Sequence, residues 1–169
     1  MASILVKRYQ QIPQNLKPQV SKLLQRCDSD FFPPLSERVN YETIKTAAPS
    51  NRYFDEVTEQ SAILAFNYGR LVGLMLFTNK DSYTPPVDVN FETYVSTTLV
   101  DPEYRGFGVA TAMNELLEST DGVFPILRRT WTTNAVNRSL LVNRGFRVVK
   151  EFPNDRGNGI GTVYYWRKS

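Results

Sequence analysis

Hydrophobic and polar positions along the chain fall into segments of two periods. Ser3–Tyr9 reads as a short opening strand, and Leu16, Val20, Leu23, Leu24 and Cys27 then recur at helical spacing. Asp28-Ser29-Asp30-Phe31-Phe32-Pro33-Pro34 breaks that helix, and a second, weaker helix is expected from Leu35 to Thr46, ending before Pro49. Ser61–Asn67 and Leu71–Thr78 are nearly continuous apolar runs joined by Tyr68-Gly69-Arg70, the pattern of a β-hairpin. Strands without alternation are expected to be buried on both faces. Asn79–Asn90, with Pro85-Pro86, reads as a loop long enough for a substrate-side flap.

A strand, a glycine-bearing loop and a helix follow, and the rest of the chain is organised around them. Phe91, Thr93, Val95, Thr97 and Leu99 fall on one face of the strand; Glu92, Tyr94, Ser96 and Thr98 fall on the other. Asp101-Pro102 stops the strand, since proline has no N–H for a ladder. Val109, Ala112, Met113, Leu116 and Leu117 then mark a helix that closes at Ser119–Gly122. Val123–Thr132 is the next strand and Asn134–Asn143 the next helix. Phe146–Phe152 and Thr162–Trp166 are the last strands, joined by a loop rich in Asn, Asp and Gly.

A loop with Gly106 and Gly108 at a helix start leaves backbone N–H groups unpartnered at the positive end of the helix dipole. Phosphate or pyrophosphate is the natural guest. An ordinary connection with glycines for turn geometry has the same spacing, so the spacing alone decides nothing. A P-loop would need Gly-Lys-Ser/Thr, which is absent. A Rossmann fingerprint would need a third small residue where Thr111 stands, and an acidic residue near Arg128-Arg129.

Arg105-Gly106-Phe107-Gly108-Val109-Ala110 resembles the R/Q-x-x-G-x-G/A pyrophosphate loop of the GNAT superfamily, the acetyl-CoA-dependent N-acetyltransferases. Leu99-Val100-Asp101-Pro102-Glu103-Tyr104 looks like the end of that family's fourth strand. Asn134 and Asn137, followed by Gly145-Phe146, look like its second motif at the expected spacing. The resemblance covers about residues 60–150. It implies an α/β (α+β) fold with a mixed, mostly antiparallel sheet of about seven strands, one parallel splayed pair and about four helices.

The bulk properties agree with one globular domain over residues 1–169. No apolar run approaches the ~20 residues of a membrane span, and MASILVKRYQ lacks a signal peptide's apolar core. A single cysteine excludes an intrachain disulfide, so a reducing cytoplasm is the expected setting. Cys27 itself reads as a buried structural thiol, since no His is present to activate it. The absence of histidine also removes the usual general base and metal ligand, and no metal is expected. Residues 1–121 carry 11 Lys/Arg against 15 Asp/Glu, while residues 122–169 carry 9 against 2. That asymmetry suggests a basic half facing polyanionic coenzyme A and an acidic half facing a cationic amine.

The resemblance implies transfer of an acetyl group from acetyl-CoA, as co-substrate, to a primary amine of a small molecule or peptide. The amine attacks the thioester directly in a ternary complex. Thr98, Leu99 and Val100 would pair with the pantetheine arm. Arg105, Gly106, Phe107, Gly108, Val109, Ala110 and Thr111 would hold the pyrophosphate, with Asn134 and Asn137 on the pantetheine and nucleotide side. Where family members often carry a thiolate-protonating tyrosine, four residues before Gly-Phe, this chain has Leu141. Glu92 is the candidate base, acting through water, and Tyr94 shares its face; a solvent-exposed strand glutamate is the alternative. A catalytically silent CoA-binding sensor is the competing function. A nucleic-acid module on the basic C-terminal part is a third reading, but the sequence shows no interleaved aromatic–basic platform. Neither a membrane nor a nucleic-acid partner is expected, a homodimer is possible, and no motif identifies the acceptor.

Overall fold

Residues 3–31, 34 and 58–169 are described in a computed structural model of the chain. Its seven strands hydrogen-bond in the order β1-β2-β3-β4-β5-β7-β6: β1 (Ile4–Tyr9), β2 (Ser61–Asn67), β3 (Arg70–Asn79), β4 (Thr93–Val100), β5 (Ile126–Trp131), β6 (Arg147–Gly157) and β7 (Ile160–Arg167). Three α-helices flank them among the described residues: α1 (Lys17–Arg26), α2 (Val109–Glu118) and α3 (Ala135–Asn143). The further helix expected over residues 35–46 lies outside the described residues. The chain packs as two compact units, Met1–Phe77 with Thr97–Ser119 and Thr78–Ser96 with Thr120–Ser169, and β4 runs from the second into the first.

In the first unit the β2–β3 hairpin turns through Tyr68 and Gly69, both at positive φ (46° and 82°). Two such residues give the backbone twist that a two-residue hairpin needs. The interior residues of β2 and of β3 through Phe77 are buried, as their unbroken apolar runs predict. β1 pairs antiparallel with β2, from Ile4↔Asn67 to Tyr9↔Ala62. α1 turns Val20, Leu23 and Leu24 inward, where they join Leu64, Leu74, Leu76 and Leu99 in one core. Burying a Leu or Val side chain contributes about 1.5–3 kcal/mol, so this stripe, and not helix propensity, holds a ten-residue helix in place.

The second unit contains the parallel pair. Its register runs over Thr93↔Ile126, Tyr94↔Leu127 and Val95↔Arg128; β4 continues past it to Val100 and β5 to Trp131. Pro125 precedes β5 instead of lying inside it as expected, and its carbonyl accepts from the Glu92 and Thr93 amides (2.9 and 3.3 Å). β7 pairs antiparallel with both β5 and β6.

Most of the expected loop before β7 is strand. β6 runs to Gly157 and turns through Asn158-Gly159, both at positive φ. Gly161 is there for close approach: a Cβ would lie 2.2 Å from the Phe152 carbonyl oxygen. Pro153 is tolerated because β6 is an edge strand.

Candidate active site

The connection from β4 to α2 is pinned by Asp101. This side chain is 1% exposed, accepts from Arg26 at 3.0 Å and from Arg70 at 3.1 Å, and caps the next turn through the Glu103 amide (3.0 Å). Its own N–H donates to the Val72 carbonyl at 2.8 Å. Arg105 braces the chain further on. Its Nε donates to Val100 O at 3.2 Å, and its guanidinium pairs with Asp30. The side chain of Arg105 is therefore engaged in bracing the loop, which leaves the backbone amides to meet an anion.

Gly108 is the N-cap of α2 at φ 78°, a left-handed conformation that a β-substituted residue would hold at a cost of about 1–2 kcal/mol. It has no side chain to cap the helix, and a Cβ there would meet nothing within 4 Å. The first helical bond is Ala112 N–H to Gly108 O, at 2.9 Å. The first-turn amides of Val109, Ala110 and Thr111 consequently have no partner inside the helix. Gly106, also at positive φ, and Phe107, 61% exposed, complete an open cradle. Nothing acidic stands in the first turn to repel an anion. The loop fits a pyrophosphate.

On β4, Leu99 is buried in the core of the first unit, while Thr98 and Val100 are half-buried. The Asp101 amide faces β3 through Val72, so by strand alternation the main-chain groups of Thr98 and Val100 face away from β3. The Val100 carbonyl already receives two donors, Arg105 Nε and the Cys27 thiol at 3.6 Å.

That thiol is fully buried, as expected, and burial followed by the charge of Asp30 pushes its pKa from the ordinary 9.0 to about 11. The thiolate is the reactive form, so its fraction near neutral pH is about a hundredfold lower than for a free thiol. Iodoacetamide should accordingly alkylate Cys27 at least about a hundredfold more slowly in the folded protein than in urea. Equal rates, read by mass spectrometry, would show that Cys27 is not held as described.

The remaining candidates lie in the second unit. Glu92 immediately precedes β4, and its Oε1 accepts from Lys80 Nζ at 2.7 Å. Tyr94 is 3% exposed, its hydroxyl lacks a hydrogen-bond partner among the described residues, and its ring stacks on Tyr83 at 3.9 Å. Tyr83 and Tyr164 share a hydroxyl–hydroxyl contact of 3.0 Å. Burial raises the Tyr94 pKa well above the usual phenol range, opposed by the charge of Arg129, and burial pushes Tyr164 up to about 12. Both phenols are protonated at neutral pH, able to donate a hydrogen bond but not to act as bases.

Asn134 caps α3, its Oδ1 accepting from the Asn137 amide at 3.2 Å. Leu141 is fully buried in α3 and its carbonyl accepts the Phe146 amide. Sequence reading missed Asp30, Lys80, Tyr83 and Tyr164 as neighbours of these groups: Asp30 and Tyr164 are remote along the chain from their partners, and Lys80 and Tyr83 reach Glu92 and Tyr94 only through the path of the loop before β4.

Residues 18–146 match the family described as Acetyltransferase (GNAT) family. No curated protein matches the sequence. Among solved structures, an acetyltransferase from Thermus thermophilus superposes with TM-score 0.67 at 17% identity, covering all of both chains. The ribosomal-protein-S18-alanine N-acetyltransferase of Escherichia coli gives TM-score 0.64 at 15% identity over 97% of this chain and 94% of its own. The yncA protein of Salmonella typhimurium, solved with its cofactor acetyl-CoA, gives 0.67 at 12% over 98% and 93%. These likenesses show the fold, and the family match covers well over half of the sequence. The chain belongs to the acetyltransferase (GNAT) family.

Proposed function

We propose that residues 1–169 act as one N-acetyltransferase domain that transfers the acetyl group of acetyl-CoA to a primary amine of a small molecule or peptide. The amine attacks directly in a ternary complex. The observation that carries this reading is the uncapped start of α2, where Gly106 and Gly108 open the backbone to an anion. Amides of residues 106–111 would hold the pyrophosphate, and the main chain of Thr98 would pair with the pantetheine arm. Leu99 and Val100 would frame that arm, although the Val100 carbonyl is already taken. Asn137 would reach the nucleotide side, with Asn134 fixing its backbone. When bound, acetyl-CoA supplies a thioester carbon to the amine. The chain itself supplies orientation, which alone can account for a large part of a bimolecular barrier.

The ion pairs leave the acidic excess of residues 1–121 in place, because Arg26, Arg70, Lys80 and Arg105, which engage its carboxylates, lie in the same segment. A cationic amine was expected from the acidic excess of residues 1–121. Of those carboxylates, Asp30, Glu92, Asp101 and Glu103 are engaged by Arg105, Lys80, Arg26 and Arg70. Glu37, Asp55 and Glu56 lie outside the described residues.

Acetyl-CoA at a hundred times its dissociation constant should stabilise the fold by about 2.7 kcal/mol, a rise in Tm of roughly 5–10 °C for a chain of this size. Free thiol should then appear when an amine panel is added. A Tm unmoved by millimolar CoA and acetyl-CoA would remove this reading. Binding without thiol release on any amine would leave a CoA-binding sensor, the function that the buried Leu141 would suit.

A further inference from the structure

We infer that the face of the β5–β7–β6 sheet carrying Arg129, Arg147 and Lys150 docks an acidic peptide segment of the acceptor; this rests on the acetyltransferase reading and names the substrate class. Strand register places these side chains together. Arg147 is paired with Trp166, Lys150 with Tyr164 and Phe152 with Thr162. On the other flank Trp166 is paired with Leu127, Tyr164 with Arg129 and Thr162 with Trp131. Directly paired residues point to one side of a sheet, so cations and rings share a face.

The rings hold the cations in position. Arg147 lies 4.9 Å from the centre of Trp166, Lys150 5.5 Å from Phe152, and Arg156 5.7 Å from Trp131. Arg156 is steadied further by Nε donating to Thr162 at 3.0 Å. Arg129, Arg147 and Lys150 remain exposed. The strands place no carboxylate to neutralise them at these pairs: Glu151 pairs with Val163, on the opposite face. The loop before β4 packs over the middle of this face, with Tyr83 against Tyr164 and the Asn90 carbonyl accepting from Trp166 Nε1. Asp155 lies in the irregular stretch before the turn, and Glu92 is held by Lys80. Among the described residues no carboxylate pairs with Arg129, Arg147 or Lys150, which border the covered part.

An acidic peptide suits this face better than a nucleic acid. Single-stranded nucleic acids are bound by stacking bases on open aromatic faces. Here the rings of Trp131, Phe152 and Trp166 are half-buried, and each already carries a cation. What the surface offers are positively charged hydrogen-bond donors in fixed positions. Guanidinium forks match carboxylates in two parallel bonds, and the side chains of an extended peptide can reach several strands about 4.8 Å apart.

The test compares peptides of equal length with a free amino terminus, rich in Glu and Asp, neutral, or rich in Lys and Arg. With acetyl-CoA and at low salt, kcat/KM should favour the acidic series by about tenfold or more, several exposed pairs each contributing a few-fold. The preference should shrink toward equality at about 1 M salt. Arg147→Glu combined with Lys150→Glu should reverse it, while turnover of a small neutral amine and the Tm shift with CoA stay as in the parent. The proposal is overturned if the three series turn over within twofold of one another at low salt, or if the double variant keeps the acidic preference. It is also overturned if a single-stranded oligonucleotide of equal charge displaces a fluorescent acidic peptide at lower concentration than unlabelled acidic peptide does. Should no amine accept an acetyl group, the acetyltransferase reading fails on its own; anisotropy of the labelled peptide on parent and variant still decides the docking face.

Discussion

Replacing Arg26 and Arg70 together by alanine should destabilise the protein by about 3–5 kcal/mol, more than replacing the carboxylate they share. The asymmetry follows from burial. Asp101 is 1% exposed, whereas the arginine side chains are 39% and 44% exposed. Without them a charged carboxylate stays buried with the Glu103 amide as its remaining described donor. In Asp101→Asn the arginines can rehydrate and still reach Glu103, at 3.4 Å from each. That change should cost about 1.5–3 kcal/mol, the range for hydrogen bonds to a charged group. Either arginine alone should cost less than half of the double loss, because the two share one partner. Urea denaturation at constant m-value measures all three. A double variant no less stable than Asp101→Asn would show that the buried carboxylate is not held by these charges. Since Asp101 also anchors the turn before residues 105–110, Asp101→Asn should loosen CoA binding as well.

Local chemistry was legible in the sequence and remote pairing was not. Gly106, Gly108 and the stripe from Val109 to Leu117 lie within a dozen residues of one another, so one stretch specified the strand, the cradle and the helix. Tyr68-Gly69 likewise announced its own turn. The β6–β7 hairpin was misread because its six turn-type residues look like a loop. Only Asn158-Gly159 turns; Asn154, Asp155 and Gly157 fall inside β6 and Gly161 inside β7. Arg105–Asp30 and Arg26–Asp101 each join residues 75 apart, and Arg70–Asp101 joins residues 31 apart. Counting charge by segment missed these pairs but not their sum: both partners of each lie within residues 1–121, so the acidic excess there is unchanged and only its distribution differs. The basic–aromatic platform was invisible for the same reason: Arg147 meets Trp166, and Arg156 meets Trp131, only across strand pairs.

Glu92→Gln should lower kcat by roughly 10²–10⁴ if Glu92 relays the proton from the acceptor amine. An alkylamine with a pKa near that of lysine is mostly protonated at neutral pH, so its proton must leave before attack. Among the groups placed near β4, the phenols of Tyr94 and Tyr164 are protonated in that range and cannot accept it. Glu92 can, and the structure shows what it binds: the ammonium of Lys80, at 2.7 Å. Lys80 has its pKa raised, first by that hydrogen bond and then by the charge of Glu92. The pair is well exposed, at 49% and 38%, so it exchanges readily with water. An acceptor's ammonium is a direct replacement for that of Lys80, and on this proposal the exchange would bring the amine to the carboxylate that would take its proton. Lys80→Met should then lower the acceptor KM severalfold with little change in kcat, while Glu92→Gln lowers kcat and leaves the CoA dissociation constant at the parental value. If Glu92→Gln keeps full kcat with the parental pH–rate profile, the proton leaves by another group or by bulk water, and the Lys80–Glu92 pair serves only to tie the loop before β4 to the start of the strand.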